Sequence, residues 1–213
     1  MNAHRTRIKI CGIRDPATAC AAAQAGADAI GLVFHPSSPR AIDTGEARAV
    51  ADAVPAFVTV VGLFVNRDAR AVRDVLAGVR LSMLQFHGDE TPEFCGQFGL
   101  PWIRAVRVGA GVDLVECASR FSQAAALLLD AQVPGQYGGT GTPFDWSLIP
   151  PSLGRPVVLS GGLDAGNVGR AIRTARPWAV DVSSGVERER GVKDVALIEK
   201  FVRSVRDADA RGG

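Results

Sequence analysis

Eight short apolar segments alternate with amphipathic segments along the chain, and this alternation predicts an α/β protein built as a single (β/α)8 TIM barrel. The apolar segments are rich in Val, Ile and Leu, as expected for parallel strands buried on both faces. The last two segments also end in glycine-rich motifs. An open doubly wound sheet would carry its phosphate-binding glycines after the first strand, so the pattern favours a closed barrel.

The predicted strands are residues 7–12, 29–34, 57–65, 82–87, 102–108, 125–130, 156–160 and 179–183. Roughly eight helices in strict alternation complete the pattern, so residues 1–213 are predicted to form one domain. A (β/α)8 barrel typically takes about 250 residues, and the loops of this one must therefore be short.

The helical segments begin with recognisable capping signals. Asp15 and Thr91 each precede a proline, and Asp43 with Glu46 resembles a capping box. A final helix is expected at about 194–209, with residues 210–213 as a frayed tail.

The composition argues against several kinds of partner. The formal net charge is only +2, and the basic residues are scattered, which argues against nucleic acid or a membrane surface. No apolar stretch is long enough to span a bilayer, and no signal peptide precedes the first strand, so we expect a cytoplasmic protein.

The cysteines show no metal-binding spacing, so no metal site is predicted. They are expected to be free thiols in a reducing compartment: Cys11, Cys20, Cys95 and Cys117. Three of them lie in helical patterns and are interpreted as core residues. Cys11 instead ends the first strand.

Strand parity predicts which side chains point into the barrel. In the first strand the apolar pair Ile8 and Ile10 should face the helices, which turns Lys9 and Cys11 inward. The same argument places these polar side chains inside: Gln85, His87, Asp130, Asp181 and Ser183.

Position along each strand then separates the inward-facing residues into two groups. Cys11, His87, Asp130 and Ser183 should gather at the C-terminal mouth, where active sites of such barrels lie. Lys9, Gln85 and Asp181 lie deeper and are interpreted as groups that satisfy one another.

The glycine-rich motifs predict a phosphate site in the loops after strands 7 and 8. They read Leu-Ser-Gly-Gly-Leu at 159–163 and Asp-Val-Ser-Ser-Gly-Val-Glu at 181–187, and each precedes a helical pattern. Glycine lets the backbone approach a ligand, and free N–H groups before a helix bind anions. Ordinary turn chemistry is the alternative for either motif alone.

A thiol and a carboxyl beside a phosphate site suggest paired proton transfer on a phosphosugar. Asp130 is predicted to protonate a leaving oxygen, and Cys11 to remove a proton as a thiolate. A cysteine with an ordinary pKa of about 8.5 is only a few per cent thiolate at neutral pH. Some local activation is therefore required, and the sequence does not identify its source. A buried core thiol is the alternative for Cys11.

The loops after the second and the sixth predicted strand are further candidates for substrate contacts. Arg40 lies in a proline-containing loop and either binds a carboxylate through its guanidinium fork or is a solvated surface residue. The loop at 136–143 is interpreted either as a lid or as a plain surface excursion.

Several motifs together resemble the phosphoribosylanthranilate isomerase family of tryptophan biosynthesis, in the family's order and over essentially the whole chain. They are Lys-Ile-Cys-Gly-Ile at 9–13, Ser-Pro-Arg at 38–40, Leu-Gln-Phe-His-Gly at 84–88, Leu-Asp at 129–130, Gly-Gly-Thr-Gly at 138–141, Phe-Asp-Trp at 144–146 and the two glycine-rich motifs. The most specific part is the combination of Cys11, Arg40 and Asp130.

The resemblance implies an aldose–ketose isomerase that carries out the Amadori rearrangement of N-(5-phosphoribosyl)anthranilate to 1-(2-carboxyphenylamino)-1-deoxyribulose 5-phosphate. It implies that Asp130 protonates the ribose ring oxygen and that Cys11 removes the C2 proton. The implied substrate contacts are Arg40 on the anthranilate carboxylate, His87, and the backbone around Gly161, Gly162, Ser183 and Ser184 on the phosphate. No metal or organic cofactor is implied, because the imine is the electron sink.

Other readings stay open. Many family members carry a basic residue where this chain has Thr142 and Pro143, and this departure bears on the lid interpretation of the loop at 136–143. The segment at 188–190 is more charged than the resemblance leads us to expect. One alternative is a related isomerase of histidine biosynthesis, a barrel with paired aspartates, one of them at the end of the first strand. Cys11 at that position argues against this alternative. An enzyme of broad specificity that accepts both substrates stays open. A non-catalytic phosphosugar-binding barrel is the other alternative. The oligomeric state, monomer or homodimer, is not predicted.

Overall fold

The computed structural model describes residues 5–109, 111–131 and 145–211. Eight parallel strands form a closed barrel in chain order, and the sequence-based prediction of the fold is confirmed. The barrel strands are β1 Arg7–Cys11, β2 Ala29–Val33, β3 Thr59–Phe64, β4 Met83–Phe86, β5 Trp102–Val108, β6 Ala126–Ala131, β7 Val157–Leu159 and β8 Ala179–Val182. The helices are α1 Pro16–Ala25, α2 Thr44–Ala53, α3 Ala69–Gly78, α4 Pro92–Gly96, α5 Leu114–Arg120, α6 Val168–Ala175 and α7 Val195–Arg211.

All eight strands fall where the sequence pattern predicts them, and most bounds differ by only one or two residues. The third strand begins at Thr59 rather than at residue 57, because Phe57 is fully exposed and has a φ of 72°. A positive φ cannot continue a strand, so the chain turns at Phe57 before β3 begins.

Helices alternate with the barrel strands, and two of the connections contain short elements that the sequence pattern does not predict. Among the described residues between β6 and β7 there is only a 3₁₀ helix, Trp146–Leu148, and Pro150 and Pro151 follow it. Proline lacks the N–H that a continuing helix needs. After β8 the chain adds a second 3₁₀ helix, Ser184–Val186, and a hairpin of β9 Glu187–Glu189 and β10 Val192–Lys193. This hairpin contains the charged segment at 188–190.

The helix ends follow their capping signals. Asp15 and Thr91 accept hydrogen bonds from backbone N–H groups three residues ahead, and both halves of the capping box at Asp43 and Glu46 are present. The last helix extends through Arg211, so Ala210 and Arg211 are helical rather than part of a tail. Among the described residues, no helix is both long and apolar enough to cross a membrane.

The apolar core outside the barrel wall is larger than the apolar clusters inside it. The outward faces of the strands pack against the helices in the main core. Inside the barrel, a smaller apolar cluster comes from β5 to β8: Ile103, Ala105, Ala126, Leu128, Val158 and Ala179. A further small apolar cluster, which also lines the cavity at the C-terminal mouth, consists of Cys11, Val33, Leu63 and Val65. Polar side chains of β1, β4, β6 and β8 share the interior with these clusters.

Candidate active site

One polar cavity lies at the C-terminal ends of the strands. The structure brings together five of the predicted site residues around it: Cys11, Arg40, His87, Asp130 and Ser183. The other residues that line it are Val33, His35, Ser38, Leu63, Val65, Gln85, Ser160 and Asp181. Strand parity therefore places the inward-facing side chains correctly. Gly161, Gly162 and Ser184 lie in the loops just beyond.

Asp130 forms one wall of the cavity and is 3% exposed. Its Oδ1 accepts the N–H of Ala131 at 2.9 Å, and its Oδ2 lies 3.2 Å from Nε2 of His87. Despite that short distance, the His87–Asp130 contact does not have hydrogen-bond geometry, and Nε2 has no hydrogen-bond partner within the described residues. The imidazole nitrogen and the carboxylate oxygen are therefore both available to a ligand.

Gly161 keeps this carboxyl in place. Its φ is 85°, and a Cβ atom there would lie 2.5 Å from the Ala131 nitrogen and 2.8 Å from Oδ1 of Asp130. Any larger residue would be strained and would collide with the hydrogen bond that orients Asp130. Gly161, which the sequence predicts to bind phosphate, thus also keeps the Asp130 side chain in its orientation.

The interpretation that Lys9, Gln85 and Asp181 satisfy one another is only partly right. Lys9 and Asp181 form a buried ion pair of 2.8 Å, whereas Gln85 turns to His87, with its Nε2 3.3 Å from Nδ1. Gln85 and His87 are two residues apart and point to the same side of the chain. His87 is therefore a nearer partner for Gln85 than Lys9 or Asp181. With the amide assigned this way, Nδ1 of His87 accepts and Nε2 carries the proton.

Cys11 lies on the opposite side of the cavity at the end of β1 and is 5% exposed. Its backbone carbonyl accepts a hydrogen bond from Oγ of Ser183 at 3.0 Å. Burial raises the pKa of the Cys11 thiol, and the ammonium groups of Lys9 and Lys193 act against that increase. The electrostatic surroundings of this cysteine thus come from both ends of the chain.

Gly31 makes room for the thiol, and sequence reasoning missed it. It lies opposite Cys11 in the pairing of β1 with β2. A Cβ atom at this position would lie 2.8 Å from Sγ of Cys11 and 3.2 Å from Nζ of Lys9. A glycine in the middle of a buried strand is the signal that could have revealed this close approach.

Arg40 is a buried ion-pair partner rather than a solvated surface residue. Its Nε and Nη2 donate to the two carboxylate oxygens of Glu187 at 2.7 and 2.9 Å. Glu187 also accepts from Nζ of Lys193 at 2.7 Å, and Lys193 donates to the carbonyl of Ser183 at 2.9 Å. Sequence reasoning missed both Glu187 and Lys193, because the hairpin that brings them to Arg40 was not predicted.

Two glycines allow close contacts with the loop that carries Arg40. A Cβ atom at Gly12, whose φ is 82°, would lie 2.6 Å from Cδ of Arg40. A Cβ atom at Gly191, whose φ is 86°, would lie 2.6 Å from the carbonyl oxygen of Pro39. The loop that carries Arg40 is therefore packed between the end of β1 and the β9–β10 hairpin.

The ionisation of Glu187 should make the stability of this hairpin depend on pH. Although burial opposes its charge, hydrogen bonds from Arg40 and Lys193 hold the pKa of Glu187 at about 2, compared with 4.5 ordinarily. Because the folded pKa is the lower one, its stabilisation is present above about pH 5 and is lost as pH falls towards 2. Glu187→Gln should therefore lower the free energy of unfolding at pH 7 by on the order of 2 kcal/mol, after allowing for solvent screening.

Urea unfolding at pH 7 and pH 3 measures this effect, and the difference between wild type and Glu187→Gln should shrink at pH 3. Glu189→Gln is the matched control, because Glu189 lies on the same strand and is exposed. A Glu187→Gln difference that is equal at both pH values would contradict the assignment.

The two glycine-rich motifs meet at the mouth. Gly161 and Gly162 have φ values of 85° and 65°, and Nδ2 of Asn167 donates to the carbonyl of Gly162 at 2.7 Å. A Cβ atom at Gly185 would collide with the carbonyl of Leu163, so the loops after β7 and β8 are in direct contact. Ser183 and Ser184 lie in the second of these loops.

Some predicted features fall outside the described residues. The loop at 136–143 and the motif residues 138–141 and 144 fall in the gap between 131 and 145. Within the three described ranges, no group of three or more His, Cys, Asp or Glu side chains is arranged to hold a metal ion.

A (β/α)8 barrel with a polar cavity at the carboxyl ends of its strands has the architecture of a barrel enzyme. The family model described as N-(5'phosphoribosyl)anthranilate (PRA) isomerase matches residues 8–204. The chain belongs to this family, and the resemblance seen in its motifs is confirmed.

Relatives and solved structures agree with this assignment. An N-(5'-phosphoribosyl)anthranilate isomerase of Pseudomonas putida is 54% identical over 202 residues, covering 95% of this chain and 98% of the relative. The crystal structure of the phosphoribosyl anthranilate isomerase from Thermotoga maritima superimposes with a TM-score of 0.87 at 40% identity, covering 95% of this chain and 99% of that one. A further solved isomerase, in complex with reduced 1-(o-carboxyphenylamino)-1-deoxyribulose 5-phosphate, has a TM-score of 0.84 at 38% identity, with 95% and 99% covered.

Proposed function

We propose that this protein catalyses the Amadori rearrangement of N-(5-phosphoribosyl)anthranilate to 1-(2-carboxyphenylamino)-1-deoxyribulose 5-phosphate. The observation that carries the proposal is the placement of a buried carboxyl, Asp130, and a buried thiol, Cys11, on different walls of one cavity in a chain of this family. One group supplies a proton and the other removes one, which is what an aldose–ketose rearrangement requires.

The first step is ring opening, with Asp130 as the general acid. Its protonated carboxyl gives a proton to the ribose ring oxygen while the C1–O bond breaks. The lone pair of the anthranilate nitrogen forms a C1=N double bond, so the product is a protonated imine. Oδ1 of Asp130 is already oriented by the N–H of Ala131, which leaves Oδ2 for the substrate.

The second step is proton removal from C2, with the Cys11 thiolate as the general base. The C2–H electrons form a C1=C2 double bond, and the C=N electrons return to nitrogen, giving a neutral enolamine. Moving a proton from the C2 hydroxyl to C1 then gives the ketone. One proton has passed from Asp130 to the substrate and another from the substrate to Cys11, so the two groups exchange protonation states before the next turnover.

The substrate's two anionic ends are assigned to different loops. The backbone around Gly161, Gly162, Ser183 and Ser184 would bind the phosphate, which is supported by the contact between the two glycine-rich loops. Arg40 would bind the anthranilate carboxylate. Within the described part of the chain, Glu187 engages two of the five N–H donors of the Arg40 guanidinium, which leaves three for a ligand.

His87 is proposed as a substrate contact. Its Nε2 is buried next to Oδ2 of Asp130 and has no hydrogen-bond partner within the described residues. A buried donor in that state is costly unless a ligand satisfies it. The ring-opening oxygen, which lies close to Asp130 in this mechanism, is the ligand atom that we assign to it.

A cytoplasmic location is part of the proposal. All four cysteines are free thiols, which fits a reducing compartment. The substrate is a small phosphosugar, and the protein acts as a monomer or a homodimer.

The fluorescence of anthranilate provides the test of the proposed function. Purified protein is mixed with freshly made N-(5-phosphoribosyl)anthranilate, and consumption of the substrate is followed as loss of fluorescence. Enzyme-dependent turnover supports the proposal. A folded protein that binds phosphosugars without turnover would contradict it and favour a binding role, and turnover of only a histidine-pathway aminoaldose would favour that alternative.

Removal of the Arg40 guanidinium should weaken recognition of the carboxylate. Arg40→Gln is expected to lower kcat/KM by about 10- to 100-fold, because a charge-assisted pair is worth roughly 1.5–3 kcal/mol. With a substrate that lacks the carboxylate, N-(5-phosphoribosyl)aniline, the same substitution should have little effect. Steady-state kinetics with both substrates measures the coupling.

Arg40→Gln also takes one ion-pair partner from the Glu187 carboxylate. The double variant Arg40→Gln/Glu187→Gln removes this side effect and is the control. If the loss is equally large for both substrates, Arg40 does not recognise the anthranilate carboxylate.

A further inference from the structure

The lysines of this chain are unusually placed. Of its 24 basic residues, 21 are arginine and three are lysine: Lys9, Lys193 and Lys200. Lys9 and Lys193 have buried side chains, 5% and 3% exposed, and both ammonium groups act on Cys11. Lysine is almost never buried without a partner. Their position therefore calls for an explanation beyond packing.

Lys9 has two partners. It precedes Cys11 by two residues on β1, so both side chains point to the same face. The space above Gly31 is shared by Nζ of Lys9 and Sγ of Cys11, which lie 3.2 and 2.8 Å from the position of a Cβ there. Nζ also donates to Oδ1 of Asp181 at 2.8 Å. The ammonium thus lies between a carboxylate and a thiol.

Asp181 holds that ammonium in place. It is opposite Lys9 in the pairing of β1 with β8, and its other oxygen, Oδ2, accepts from Oγ of Ser160 at 3.3 Å. Both oxygens of the carboxylate are therefore engaged, and the ion pair has a fixed geometry. A fixed cation is a better stabiliser of a developing anion than a mobile one.

The other charged and titratable groups around Cys11 come from different elements. Lys193 from β10 faces it, but Glu187 and the backbone of Ser183 already hold that ammonium. Arg40 and His35 come from the loop after β2, and His87 and Asp130 from β4 and β6 line the cavity. Among these groups, Lys9 is the cation that shares the space above Gly31 with the thiol.

We propose that Lys9 and Asp181 are positioning residues with opposite effects on Cys11: the Lys9 ammonium stabilises the thiolate, while the Asp181 carboxylate orients the ammonium and competes with the thiolate for it. The inference rests on the proposed function, in which Cys11 is the base. It supplies the local activation that the cysteine needs. Burial works against the thiolate, and the Lys9 ammonium acts in the other direction.

Ultraviolet absorbance of the thiolate near 240 nm tests the inference without substrate and without a reagent that must enter the cavity. For each variant, the pH titration of the same protein carrying Cys11→Ser is subtracted as the background. The difference is the titration of Cys11, because the absorbance of the other cysteines and of the tyrosine cancels. Lys9→Met should move the Cys11 midpoint to higher pH by about one unit or more, a roughly tenfold loss of thiolate at neutral pH. Asp181→Asn should move it to lower pH.

The acid limb of the pH profile of kcat/KM should move in the same directions. Lys200→Met is the matched control, because it removes the same charge from an exposed position on α7 and should leave both curves unchanged. The double variant Lys9→Met/Asp181→Asn leaves no buried charge without its partner and guards against misfolding of the single variants. It should titrate at higher pH than wild type, since the Lys9 ammonium shares the space above Gly31 with the thiol.

Two outcomes would overturn the inference. The first is a Cys11 titration that is unchanged in Lys9→Met and in the double variant, which would make the ion pair purely structural. The second is a shift in the same direction for Lys9→Met and Asp181→Asn. Because the titration needs no turnover, a protein inactive on the phosphosugar would contradict the proposed function while the titration still decides this inference.

Discussion

Asp130→Asn is expected to lower kcat/KM by about 1000-fold, because the amide cannot give a proton to the ribose ring oxygen. The substitution is nearly isosteric, and an amide oxygen can still accept the N–H of Ala131 that orients the side chain. The substitution therefore removes the general acid while the fold is retained. The measurement is steady-state kinetics by anthranilate fluorescence, with circular dichroism and thermal unfolding as checks of structure.

Asp74→Asn provides the matched control, since Asp74 lies on α3 with a side chain that is 73% exposed. It should retain wild-type rates. If Asp130→Asn retains more than about a tenth of the activity, a different group opens the ring. His87, whose Nε2 lies next to Oδ2 of Asp130, would be the next residue to replace.

Cys11→Ser is expected to be comparably severe, with a loss of about 1000-fold in kcat. Serine fits the same space above Gly31, but its hydroxyl is not ionised near neutral pH and is a much weaker base than a thiolate. Substrate binding should change little, because the contacts assigned to the carboxylate and the phosphate lie on other loops. The expected signature is a large fall in kcat with KM nearly unchanged.

Cys117→Ser is the control for a general effect of losing a thiol, because Cys117 is partly buried on α5, away from the mouth. A Cys11→Ser variant with substantial activity would leave the isomerase assignment standing but remove Cys11 from the mechanism. A variant that loses binding as well would point to collapse of the cavity instead.

The sequence predicted the barrel well because the fold depends on repeating patterns. Apolar segments and capping residues are local signals, and strand parity correctly turned Cys11, His87 and Asp130 towards one cavity. The errors at the strand and helix ends have local causes, such as the positive φ of Phe57 and the prolines after the 3₁₀ helix.

The partners inside the site were harder to predict. The ion pair of Lys9 with Asp181 joins residues 172 positions apart, and that of Arg40 with Glu187 spans 147. Such pairs depend on which strands adjoin and on a hairpin too short and charged to look like strands. Gly31 had no signal other than its place in a buried strand, and its role becomes clear only when the side chains of the neighbouring strand are placed.

The pairing of β1 with β8 has a consequence for how the protein is made. Strand β1 leaves the ribosome before the other seven barrel strands, and β8, one of its two neighbours, is synthesised more than 160 residues later. At the usual rates of synthesis that interval lasts roughly 10 to 30 s. During this time β1 has an unpaired edge that offers N–H and C=O groups to other chains. The nascent protein therefore passes through an aggregation-prone stage, and the surroundings of Cys11 become complete only when the last strands arrive.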